Sequence, residues 1–191
     1  MDTREPTDAP SFPLPKGATP SGDGIALGAG LVPVDLYVDL QCPLCKQFQL
    51  ISAATLEGLL GDGAITLIHH PVNLLDAVST TSYSTRAAAA AAAASDFDRF
   101  LEYVDALLLH QPPAGGPGLT DCQLVELGHA VGITDADFAE RVYLERYLPW
   151  PPYVTERALR RGVSGTPSVL VSGRPVAARP GPIELAVHTH I

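Results

Sequence analysis

The run Leu31–Gln41, LVPVDLYVDLQ, leads directly into Cys42-Pro43-Leu44-Cys45 and then into KQFQLISAATLEGLL, which ends at Leu60. In the first piece Val32, Val34, Leu36, Val38 and Leu40 share one face, and Asp35, Tyr37 and Asp39 share the other. A period of two over this length reads as a strand. Pro43 suits the first turn of a helix, where its missing N–H costs nothing. Phe48, Ile51, Leu56, Leu59 and Leu60 give that helix an apolar side, and Gly61 to Gly63 stop it. Cys42 is thereby placed at the start of a helix, beside unpaired backbone N–H groups and the positive end of the helix dipole. A thiolate is stabilised there, and the thiolate is the species that attacks a disulfide. The spacing lets the second sulfur reach the first, so one dithiol can give or take two electrons.

The rest of the chain sets this junction in a larger plan. Residues 1–24 are rich in Pro, Gly, Ser, Thr and Asp and read as a flexible lead that packs little. Ala64–His70 reads as a second strand, ended by Pro71. The unbroken alanines 87–94 form a helix of the highest intrinsic propensity, open to close approach by its neighbours. Ser95, with Asp98 three residues on, is expected to cap the next helix, and Phe97, Phe100, Leu101, Val104, Leu107 and Leu108 to form its apolar face. After the loop PPAGGPG, Thr120–Gln123 is a capping box for a helix that Gly132 ends, and Thr134 with Asp137 starts one more. Pro149, Pro151 and Pro152 are expected to break the chain around Trp150, before a short helix over 153–161. Ser168–Val171, Ser172-Gly173 and Arg174–Val176 read as a hairpin, and 182–190 as a closing helix.

Composition narrows the function. At 191 residues the chain supports one domain with a real core. A net charge of −9 disfavours nucleic acid or an anionic membrane as the main partner. Three cysteines are too few for a disulfide-stapled scaffold, and one CxxC cannot build a four-cysteine zinc site. Asp2, Arg4, Glu5 and Asp8 sit where a secretory signal needs a basic head and an apolar core, so the expected location is the cytoplasm. An extracytoplasmic location is the alternative if a leader has been removed. No stretch is long enough to span a membrane.

A second motif, Gly162-Val163-Ser164-Gly165-Thr166-Pro167-Ser168, precedes the hairpin. A strand, CPxC and a helix, then a helical block with HHPVNLL and the alanine helix, then GV-x-GTP before a hairpin, together resemble the DsbA-like branch of the thioredoxin superfamily. The resemblance runs from about residue 30 to the C-terminus. It implies an α/β thioredoxin fold with an inserted helical domain: a first part over 25–71, the insertion over 72–158 and a second part over 159–191. It implies that Cys42 is the exposed nucleophile and Cys45 the resolving thiol. It also implies that Pro167 is cis and faces them, and that Thr166 offers its backbone to an extended substrate peptide. Pro43, Leu44 and Asp39 are supporting residues.

The activity implied is thiol–disulfide exchange on protein substrates, with a redox partner to reset the dithiol and no metal or organic cofactor. Two departures stand out. The best-known members carry His where Leu44 stands, so the thiolate here is expected to be less stabilised. Many thioredoxin-fold proteins keep a buried acid at the position of Leu36. Asp39 either assists proton transfer at Cys45 or caps the strand end. The alternatives are a relative of the kappa-class glutathione transferases, against which Cys45 counts, and a non-catalytic binding module. Cys122 reads as a free thiol, His69 and His70 as adjacent strand residues on opposite faces, and His188 and His190 as solvent-facing.

Overall fold

The computed structural model describes residues 10–190. Five strands form one sheet in the order β1-β3-β2-β4-β5, comprising β1 (Ile25–Leu27), β2 (Val32–Asp39), β3 (Ile65–Val72), β4 (Ser168–Val171) and β5 (Arg174–Val176). β2 and β3 are parallel and joined by α1 (Pro43–Gly61), whereas β4 runs antiparallel to β2 and turns back into β5. Ser172 and Gly173 both have positive φ, the geometry that a two-residue hairpin needs. In register, Leu36 lies between His69 of β3 and Val169 of β4. α7 (Pro180–His188) packs beside α1.

The strand reading of 31–41 holds, but the second face of β2 is also covered: Tyr37 and Asp39 are fully buried. Part of the cover is α6 (Trp150–Arg160), and part is the segment before β1, which was expected to pack little. Gly22, Asp23 and Gly24 are buried. Trp150 Nε1 donates to Gly22 O at 2.7 Å and the Tyr153 hydroxyl to Ser21 O at 2.8 Å. The Asp23 carboxylate pairs with Arg161 at 2.8 Å. His70 stacks on Tyr37 and has Asp23 O on one ring nitrogen and Asp35 on the other. The remaining residues of the expected lead, 1–9, lie outside the described residues.

Between β3 and α6 the chain makes a block of four helices: α2 (Tyr83–Ser95), α3 (Phe100–Leu109), α4 (Asp121–Ala130) and α5 (Ala136–Tyr143). α2 is its axis, with every alanine from 87 to 94 buried and α3, α4, α5 and α6 packed around it. Methyl side chains permit that close approach without loss of packing density. The block starts and ends at one place: Asn73 N donates to Thr155 Oγ1 at 2.9 Å, and that hydroxyl donates to Asn73 Oδ1 at 2.5 Å.

Several boundaries differ from expectation for identifiable reasons. Ser95 does not cap α3; it closes α2, its hydroxyl bonding Ala92 O, and α3 begins at Phe100 after Asp98 takes a positive φ. Phe97 therefore precedes the helix whose face it was expected to join. Pro151 and Pro152 do not break the chain after Trp150. They occupy the first turn of α6, where no N–H is needed. Pro71 continues β3 to Val72, and Asp135 rather than Thr134 caps α5. The capping box at Thr120 and Gln123 is complete.

Candidate active site

β2 ends at Asp39, and a turn closed by Cys42 N on Asp39 O at 3.0 Å delivers the chain into α1. Cys42 is the N-cap residue of that helix and Pro43 opens its first turn. Cys45 is fully enclosed and Cys42, which is buried as well, retains 7% exposure, so Cys42 is the less enclosed of the two but not the exposed nucleophile expected. Both cysteines are free thiols. From the far end of the sequence the loop before β4 brings Thr166 against them, with its carbonyl oxygen 3.4 Å from Cys42 Sγ. The Thr166–Pro167 peptide bond is cis.

The two thiols are driven apart in acidity. The hydrogen bond from Cys45 is the largest influence on Cys42 and stabilises its thiolate. Burial opposes it, while the Thr166 side chain and the amides of Cys45 and Leu44 add to it, and Cys42 is brought down to about 5. The same Cys42–Cys45 bond, with burial, pushes Cys45 far above the ordinary thiol range. One sulfur is therefore an anion at neutral pH and the other keeps its proton. Leu44 is 57% exposed and has no polar group to offer.

Asp39 is buried beneath this turn. Its carboxylate accepts from Ser84 Oγ at 2.7 Å and from the backbone N–H groups of Gln41 at 2.9 Å and Leu75 at 2.8 Å. Burial outweighs these bonds and lifts Asp39 to about 6, and the charge on Cys42 adds to the rise. The geometry favours capping of the strand end. Leu36, at the place of the family's buried acid, is enclosed.

Gln111, which the sequence reading does not single out, also reaches the turn. Its amide Nε2 donates to Leu40 O at 2.9 Å and Cys42 O at 3.0 Å. Nothing near residue 111 signals this, because the partners lie about seventy positions earlier in the chain. Nearby, Lys46 Nζ donates to Leu109 O at 2.9 Å.

An open groove of about 490 Å³ starts at Thr166 and Pro167 and runs past Ser164 and Gly165 to Pro175 and Val176. The other residues weighed from sequence lie apart from the dithiol. Cys122 is exposed on α4 beside Glu126. His69 meets the Phe100 ring edge-on and is fully buried, which, ahead of the charge on His70, brings it down to about 3. His188 and His190 are exposed. Among the described residues no three His, Cys, Asp or Glu side chains converge as a metal site, and no helix is long and apolar enough to cross a membrane.

The thioredoxin family model matches residues 22–186. No curated protein matches the chain in sequence. Among solved structures, the disulfide bond oxidoreductase DsbG of Mycobacterium tuberculosis is similar with a TM-score of 0.78 and 25% identity, over 90% of this chain and 88% of that one. DsbA of the same organism is similar at 0.71 and 24%, over 88% and 100%. The thiol-disulfide oxidoreductase MdbA of Corynebacterium diphtheriae is similar at 0.75 and 19%, over 98% and 100%. With a CPxC turn at the end of the central strand, a cis-proline loop opposite it and a helical block inserted between β3 and α6, this chain belongs to the thioredoxin family and has the fold of its DsbA-like members.

Proposed function

We propose that this protein is a thiol–disulfide oxidoreductase acting on protein substrates, with Cys42 as nucleophile and Cys45 as resolving thiol. The observation that carries the reading is the asymmetry of the pair: an acidic Cys42 at a helix start that keeps a little exposure, and a fully enclosed, protonated Cys45 beside it. In the reductive direction the Cys42 thiolate attacks one sulfur of a substrate disulfide, that S–S bond breaks, and the other substrate sulfur leaves as a thiolate. Cys45 then loses its proton and attacks Cys42 Sγ in the mixed disulfide. The second substrate thiolate departs, leaving the Cys42–Cys45 disulfide; two electrons have passed to the substrate.

Oxidation of a substrate dithiol is the reverse. A stabilised thiolate favours the reduced enzyme, so the oxidised form is a disulfide donor. Repeated turnover in that direction requires a partner that re-oxidises the dithiol. Thr166 and the groove beyond Pro167 suit an extended peptide, held by backbone hydrogen bonds.

The experiment is mixed-disulfide trapping in cells after acid quenching. Cys45→Ser should accumulate reductant-sensitive adducts with client proteins, because the intramolecular step is lost and the intermolecular one remains. Cys42→Ser should trap little, and Cys122→Ser should match the parent. Equal adducts for Cys42→Ser, or adducts that need Cys122, would overturn the assignment.

A further inference from the structure

We infer that Gln111 is a positioning residue for thiol–disulfide exchange: from the loop after α3 it fixes the turn that aims the Cys42 sulfur, and so sets how oxidising the dithiol is. The inference rests on the thiol–disulfide reading above.

The peptide plane between Leu40 and Gln41 is held from two sides. Its carbonyl edge accepts from Gln111 Nε2 at 2.9 Å, and its N–H edge donates to Asp39 Oδ1 at 2.9 Å. This is the central peptide of the turn that Cys42 N closes on Asp39 O. A central turn peptide is the unit that rotates when a turn changes type, and here it is gripped on both edges. The second hydrogen of the same amide goes to Cys42 O at 3.0 Å, the carbonyl that also receives the first helical N–H bonds from Cys45 and Lys46. Gln111 thus holds the carbonyls on either side of Gln41, which itself is anchored through its side chain to Leu75 O at 3.3 Å. Leu40 is fully buried, and among the described residues its carbonyl has no other donor. Without Gln111 that oxygen is left unpaired, and the chain has reason to turn it toward water.

The consequence falls on the thiolate. The N–H groups of Leu44 and Cys45 stabilise Cys42 only while its side chain stays in register with the first turn of α1. A turn free to rotate weakens those bonds and leaves the disulfide form comparatively untouched, because the S–S bond itself fixes the sulfurs. Loss of Gln111 therefore disfavours the reduced protein more than the oxidised one.

The test compares the parent with Gln111→Met, which keeps length and loses both donors. Each is equilibrated with reduced and oxidised glutathione and the Cys42–Cys45 disulfide fraction is read. The expected result is a shift of about tenfold toward the disulfide, equivalent to ~30 mV lower potential. Absorbance at 240 nm should show the Cys42 thiolate step at higher pH, and thermal unfolding should show the reduced form losing more stability than the oxidised form. Gln111→Asn, which withdraws the amide by one methylene, gives the same readings if the Met variant does not fold. An unchanged thiolate step, with both redox forms destabilised equally, would overturn the inference and leave Gln111 a structural residue. If the parent itself fails to exchange with glutathione, the functional reading falls, and the 240 nm titration still decides the role of Gln111.

Discussion

Ser84 donates its hydroxyl to Asp39 Oδ1 at 2.7 Å, tying the first turn of α2 to the end of β2 just ahead of the two cysteines. The bond is buried, and it holds a carboxylate that would otherwise face apolar surroundings with only two backbone donors.

Asp39 makes stability depend on pH. Its value rises from 3.8 to about 6 on folding, chiefly through burial. A group raised in the folded state contributes stability that is fully present below its unfolded value and lost as pH climbs through the folded one. Stability should therefore fall between pH 3.8 and about 6, by ~3 kcal/mol from this group. Asp105 is raised to about 6 as well, by burial and then by Glu57 and Glu102, and adds to the slope. Urea unfolding across this range should show a flatter slope in Asp39→Asn and again in Asp105→Asn. A slope unchanged in Asp39→Asn would contradict the assignment.

Cys42 should titrate early. A thiolate step near pH 5 is expected at 240 nm, absent in Cys42→Ser. Thr166→Val keeps the shape of the loop and removes its hydroxyl, so it should move the step upward. A parent step at the ordinary thiol value of about 8.5 would remove the basis for calling Cys42 the nucleophile.

Leu44 offers no hydrogen bond from its exposed position in the redox turn. Leu44→His places an imidazole near the thiolate, stabilising the reduced form, so the disulfide should become more oxidising. A rise of ~30 mV corresponds to about 1.4 kcal/mol, or tenfold against glutathione. An unchanged or lower potential would contradict this account of position 44.

Trp150 and Gly22 supply a stability test away from the chemistry. Trp150→Phe keeps most of the buried ring and strands the Gly22 carbonyl, at a cost of ~1–3 kcal/mol. Tyr153→Phe, whose bond to Ser21 O is only part-buried, should cost less. Denaturant unfolding measures both; a Trp150→Phe midpoint equal to the parent's would mean that the segment before β1 is not held by this bond.

These residues also mark how far the sequence could be read. β2, the CPLC turn, the capping box at Thr120 and the hairpin at Ser172-Gly173 were legible because each is written within a dozen neighbouring positions. Period, proline placement and turn residues suffice for such features. The packing of 10–24 was not legible, since Trp150, Tyr153 and Arg161 are more than a hundred residues away, and a Pro, Gly and Ser composition says nothing of a distant partner. Pro151 and Pro152 were misread because a proline pair that breaks one helix is also suited to start another. At the site, the cysteines and Thr166-Pro167 stood out by motif. Asp39 was visible without its partners, and Gln111 not at all, because its role exists only once α3 ends beside α1.

The Asn73–Thr155 junction gives the helical block the character of a cassette. Its two ends meet, so the chain enters and leaves the block at one place. Yet Leu75, Ser84 and Gln111, which grip the redox turn, all lie between those ends. The groups that stabilise the Cys42 thiolate lie on the scaffold, whereas residues that hold its turn lie in the block, so both lengths of chain bear on the potential. A graft of another helical block at 73 and 155 that lacked these three residues should free the redox turn and shift the disulfide fraction of the two cysteines at equilibrium with glutathione.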